Sequence, residues 1–155
     1  MDQISSTTEQ GLLEELRRRR GELRDSMSAL EQALAAPPGR GLRGWAGRVE
    51  AALVELSGDL REHIAITEGP EGIYAELMAQ APRLSGQMDR LTREHVQIKE
   101  AVEALLAEVS DPDVEERSHR VRDLGTQLLA TLSRHRQRGA DLVYEAYEVD
   151  IGGDT

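Results

Sequence analysis

The stretch PRLSGQMDRLTREHVQIKEAVEALLAEV, residues 82–109, carries two apolar rows at heptad spacing. Leu84, Leu91, Ile98 and Leu105 form one row, and Met88, His95, Val102 and Val109 form the other. Apolar positions recurring every three to four residues turn one face of a helix toward a core, and no long segment of the chain alternates with the period of two that a strand needs. Pro82 suits the first position of this helix, and Asp111-Pro112-Asp113 ends it and caps the next. One member of the second row is an imidazole.

The same spacing runs through three other segments. From about Thr8 to Ala35, Leu13, Leu16, Leu23, Met27, Leu30 and Leu34 form one stripe, which the prolines and glycines of APPGRGLRG (36–44) end. From about Trp45 to Glu68 the inward positions are Val49, Leu53, Leu56, Leu60, His63 and Thr67, and Gly69-Pro70 stops the helix. A short helical turn over 73–79 then leads to Pro82. The last stripe is Val121, Leu128, His135, Leu142 and Val149. Gly125, Leu132, Gly139 and Ala146 form the adjoining row, whose small members admit a close neighbour. Four amphipathic helices with short connections predict an all-α fold, an antiparallel up-down four-helix bundle. The bundle domain is expected over residues 8–150, with residues 1–7 a disordered N-terminus and 151–155 a C-terminal tail.

Composition narrows the chemistry. The absence of cysteine removes disulfides, thiolate metal sites and cysteine nucleophiles. A net charge of −10 argues against nucleic acid and anionic membranes as partners. The basic run Arg17 to Arg20 does not reverse this, because Glu14, Glu15 and Glu22 flank it and no aromatic interleaves. No apolar run reaches the ~18 residues of a membrane span, and MDQISSTTEQ lacks the regions of a signal peptide, so a cytoplasmic protein is expected. Hydrolysis by serine and phosphate binding have no nucleophile elbow or glycine-rich loop to support them.

Three of the four histidines, His63, His95 and His135, fall on the core stripe of three different helices. His119 lies about 200° round its helix from Val121 and is expected in solvent. A single inward histidine reads as a core residue hydrogen-bonded to a carboxylate or carbonyl. Three together cost several hydrogen bonds' worth of desolvation unless one partner satisfies them jointly. A metal ion does this, and neutral imidazole is its commonest ligand. The segments REHIAITE (61–68) and REHVQIKE (93–100) repeat the same Arg-Glu-His pattern. Five residues is about 140° of helix rotation, so histidine and glutamate there do not share a face. Glu68 escapes that limit beside Gly69, whereas Glu100 in mid-helix does not. Glu62 and Glu94, each next to a histidine, read as supporting or surface groups. Rise per residue puts His63 and His135 at one level and His95 about a turn and a half to two turns away.

Taken together, LREHIAITEGPEGIYAEL, REHVQI, SRHRQRGADLVYEAYEVDIGG and the four-helix order resemble the hemerythrin-like family, in a variant common in actinobacteria. The resemblance implies a four-helix bundle holding non-haem iron, mono- or dinuclear. It implies a ligand set of His63 and Glu68 on the second helix, His95 on the third, and His135 with Asp141 on the fourth. The set departs from the oxygen-carrying members. The first helix has no histidine, Lys99 stands where a second histidine of the third helix is used, and Thr67 and Ala140 occupy the carboxylate positions. A mononuclear site, a carboxylate-rich pair and a lost site all stay open. Arg20, on the inward row with Leu13 and Met27, repels a cation and would pair with Glu68 or Asp141 in a metal-free site. Tyr74, Tyr144 and Tyr147 read as packing residues.

The first functional expectation is therefore a metal-binding bundle that senses, stores or scavenges iron, dioxygen or nitric oxide, with no catalytic residue assigned and a homodimer open. The alternative is a metal-free helical bundle that binds another protein, its histidines and carboxylates forming a buried network. A diiron oxidase ranks last, because none of the three core histidines follows a glutamate at the Glu-x-x-His spacing.

Overall fold

The computed structural model describes residues 2–37, 42–112 and 118–149. Its elements are α1 (Asp2–Ala35), α2 (Leu42–Glu68), the short α3 (Ile73–Gln80), a 3₁₀ turn (Pro82–Leu84), α4 (Ser85–Val109), α5 (Ser118–Tyr144) and a π-helical turn (Glu145–Val149). α1 starts at Asp2, so residues 2–7, expected to be disordered, lie within its span. Once a helix is nucleated, each added residue extends it at little cost. The capping role expected of Asp113, the side chain of Val149 and the tail 151–155 lie outside the described residues.

The four long helices close into an antiparallel four-helix bundle. α1 packs against α2 and α5, and α4 packs against the same two. Every member of the two rows that begin at Leu84 and Met88 is buried, as the heptad spacing requires. Pro82 opens the 3₁₀ turn that leads into α4. At the other corner, the Gly69 amide donates to the carbonyl of Ala65 and the Gly72 amide to that of Gly69, which turns the chain sharply after α2. A side chain at Gly72 would meet the carbonyl oxygens of Ile66 and Thr67 within 2.8 Å, so only glycine lets α3 start this close to the end of α2. Among the small residues of α5, Gly125 is where α1 approaches most closely: a Cβ there would overlap the side chain of Leu34.

The interior is not one continuous apolar core. One cluster gathers Leu23, Leu30, Trp45, Leu53, Leu56, Ile98, Leu105 and Leu132, and ends where the Arg122 guanidinium lies over the Trp45 ring at 5.1 Å. The second gathers Leu16, Ile73, Leu77, Leu84, Leu91 and Leu142, covered by α3. Reading along each helix, the boundary falls between Leu16 and Leu23, after Leu60, between Leu91 and Ile98, and between Leu132 and Leu142. Arg20, His63, His95 and His135 occupy that boundary. Among the described residues, no helix is long and apolar enough to cross a membrane.

Candidate metal centre

His63, His95 and His135 are all buried, and α2, α4 and α5 each contribute one. Their ring centroids are 4.6 Å apart for His95 and His135, 5.2 Å for His63 and His95, and 5.6 Å for His63 and His135. Each ring offers a nitrogen that lies within 4.8 Å of the other two. The level difference expected for His95 is thus absent. Residue counting assumed that the helices start flush, and the centroid distances show that the three rings do not follow that assumption.

Two of the rings are held by carboxylates through Nδ1. His95 Nδ1 donates to Glu68 Oε2 at 2.5 Å, and His135 Nδ1 donates to Glu94 Oε1 at 2.8 Å. This bonding leaves each Nε2 with a lone pair. His95 Nε2 is buried with no hydrogen-bond partner among the described residues, and so are both ring nitrogens of His63. Burial pushes His63 and His95 down to about 3, the neighbouring histidines adding to the effect, and burial also lowers His135 against the pull of Glu94. All three imidazoles are therefore neutral at neutral pH, the form that donates a lone pair. The ring of Tyr74, on α3, stacks nearly parallel on His95 at 6.3 Å between centroids.

The carboxylates are arranged differently from the pattern that the sequence implied. Glu68 reaches His95 on the neighbouring helix and not His63 on its own, which follows from the rotation of about 140° between positions 63 and 68. Burial raises its carboxyl. Asp141 does not join the trio. It is exposed and accepts from Gln137 Nε2 at 3.0 Å, because six residues from His135 is about 240° of rotation, away from the core face. Glu100 and His119 are exposed, and Glu62 lies 3.7 Å from Arg19. Lys99 is exposed too, and Thr67 donates to the carbonyl of His63 at 2.9 Å. Glu94 is the residue whose role the sequence left open. Its side chain is only 12% exposed and bonds both His135 and Arg138. The available signal was its position at the edge of the α4 core row, opposite the edge of α5 that carries Arg138.

Arg20 pairs with neither Glu68 nor Asp141. Its guanidinium donates to the carbonyl of Arg136 at 3.2 Å and lines a cavity shared with His63, Tyr74, His135 and Arg136.

These groups fit a cation. The donors are three neutral nitrogens, two with the carboxylate-to-Nδ1 support that metal-bound histidines use, and one with no other partner. Two metal–nitrogen bonds of about 2.1 Å span at most about 4.2 Å. The three nitrogens, within 4.8 Å of one another, need to close by only about half an ångström to fall within that span. A buried trio of inward histidines from facing helices is a group that could hold a cation in a helical bundle. The chain belongs to the hemerythrin HHE cation-binding domain family, whose description matches residues 12–147. Comparison with curated proteins and with solved structures returned no match.

Proposed function

We propose that this chain binds one transition-metal cation through His63, His95 and His135, with non-haem iron the metal to test first. The observation that carries the reading is His63, whose two buried ring nitrogens have no partner among the described residues while two further imidazole nitrogens converge on it. Leaving such groups unpaired costs about 1–3 kcal/mol each, and a bound cation removes that cost. Imidazole suits iron, zinc, copper and nickel, so ligand type alone leaves the metal open. Three nitrogens are enough for one ion, and the two nearest carboxylates are engaged by histidine Nδ1 groups, which favours a single ion over a pair. When bound, the metal supplies an exchangeable coordination position. The protein holds the imidazoles neutral, fixes two of them by Glu68 and Glu94, and keeps bulk water out with the apolar clusters on either side. Sensing, storage or scavenging of iron, dioxygen or nitric oxide would all act through this centre.

Thermal unfolding under anaerobic conditions tests the reading. Ferrous iron at about 100 times its Kd should stabilise the wild type by about 2.7 kcal/mol and leave His63→Leu unchanged. An unchanged melting temperature in the wild type would favour the protein-binding alternative, in which the histidines are a polar network only.

A further inference from the structure

The basic run Arg17 to Arg20 divides in the folded chain. Arg18 and Arg19 turn toward carboxylates: Arg18 meets Glu15 at 2.5 Å, and Arg19 meets Glu15 at 2.9 Å, Glu22 at 3.2 Å and Glu62 of α2 at 3.7 Å. Arg20 turns the other way and donates to the carbonyl of Arg136 on α5 at 3.2 Å. Arg24 lies about 40° round α1 from Arg20, and Arg17 about 20° from Arg24, so the three share one face. Arg17 and Arg24 are exposed, and Arg20 and Arg136 are half-buried. Among the described residues, none of these four arginines makes an ion pair with a carboxylate. Burial lowers Arg20, and burial together with the charges of Arg20 and Arg24 lowers Arg136, with no carboxylate opposing either effect. Arg136 Nε is also buried without a hydrogen-bond partner. Like charges gathered along one seam repel. The chain has 29 acidic side chains against 19 basic ones, yet spends none of them here.

We propose that the seam between α1 and α5 docks an acidic helical segment of a partner protein, whose carboxylates meet Arg17, Arg20, Arg24 and Arg136. Arginine suits this role, because its charge is permanent, its planar fork takes a carboxylate through two hydrogen bonds, and arginine clusters recognise acidic motifs. Arg17 and Arg24 stand two helical turns apart, about 10 Å, so carboxylates two turns apart on one face of a partner helix match them. Nucleic acid and anionic membranes fit less well, since their charge extends past four arginines onto a chain of net charge −10. The surface is independent of the metal-binding reading.

Fluorescence anisotropy of a labelled, alanine-based helical peptide with glutamates at i, i+3 and i+7, titrated with the full chain at low salt, tests this. Wild-type protein should bind the peptide, and added salt should weaken the complex. The double variant Arg17→Gln, Arg24→Gln, whose two sites are exposed, should bind about tenfold more weakly. The double variant Arg18→Gln, Arg19→Gln removes the same charge from the same run, but from arginines already paired, and should keep its affinity within about twofold. Equal losses in the two double variants would reduce the effect to net charge and overturn the proposal, as would a wild type that does not bind the peptide. Tighter binding of a single-stranded oligonucleotide of equal charge, or of phosphatidylserine vesicles, would overturn the assignment to a protein partner. None of these readouts needs a bound metal, so their failure leaves the metal-binding reading standing.

Discussion

Replacing His63 or His135 with leucine looks equivalent in the sequence, since each substitution fills a gap in an apolar stripe. The structure separates them. His63 has no hydrogen-bond partner to lose, so His63→Leu should stabilise the metal-free protein by about 1–3 kcal/mol. His135 supports Glu94, and His135→Leu leaves that nearly buried carboxylate without its imidazole partner, with Arg138 and the more distant Arg90. The metal-free protein should then lose about 1 kcal/mol or more. Thermal melts of both variants in chelator check the two signs, and a stabilised His135→Leu would contradict the role assigned to Glu94. Acid provides a second test. The folded-state values of His63 and His95, about 3, lie below the ordinary 6.5, so between those limits the unfolded chain binds protons that the folded core refuses. Stability contributed in this way is complete above about 6.5 and is lost as the pH falls toward 3. His135 acts in the same direction, and the raised carboxyl of Glu68, which is part exposed, acts against it. The urea midpoint of the metal-free protein should therefore fall between pH 7 and pH 4, and less steeply in His63→Leu. Equal slopes in the two proteins would remove His63 from the explanation.

At the level of single helices, the heptad rows of α4 and α5 were legible because burial follows rotation about one axis, a property of local sequence. The trio followed from the same rows. The vertical match of the three rings was not legible, since it depends on where each helix starts relative to its neighbours. Carboxylate roles were hidden for a related reason. Glu68 and Asp141 were linked in sequence to His63 and His135, but rotation along the helix turns Glu68 toward α4 and Asp141 toward solvent. Close approach between helices gives a prediction at this scale. Gly125→Ala drives a methyl group into Leu34 and should cost about 1–3 kcal/mol. Gly139→Ala meets open space and should be neutral or stabilising by up to about 1 kcal/mol, from helix propensity alone. Equal effects in denaturant titration would contradict the packing described between α1 and α5.

Across the whole molecule, a polar layer of Arg20 and three histidines divides the interior into two apolar clusters. A bundle stabilised only by apolar burial would have continued its leucine stripes through that layer. The division was partly legible, because the histidines interrupt stripes in the sequence. The Glu94 group that ties α4 to α5 was not, because its partners lie 41 and 44 residues away. The account holds that the layer exists to bind a cation, and metal content measures this directly. Purified wild-type protein reconstituted anaerobically with ferrous iron, then freed of loose metal and subjected to elemental analysis, should retain one iron per chain, and His63→Leu should retain none. Wild-type protein that remains metal-free, or a His63→Leu variant that holds iron equally well, would contradict it.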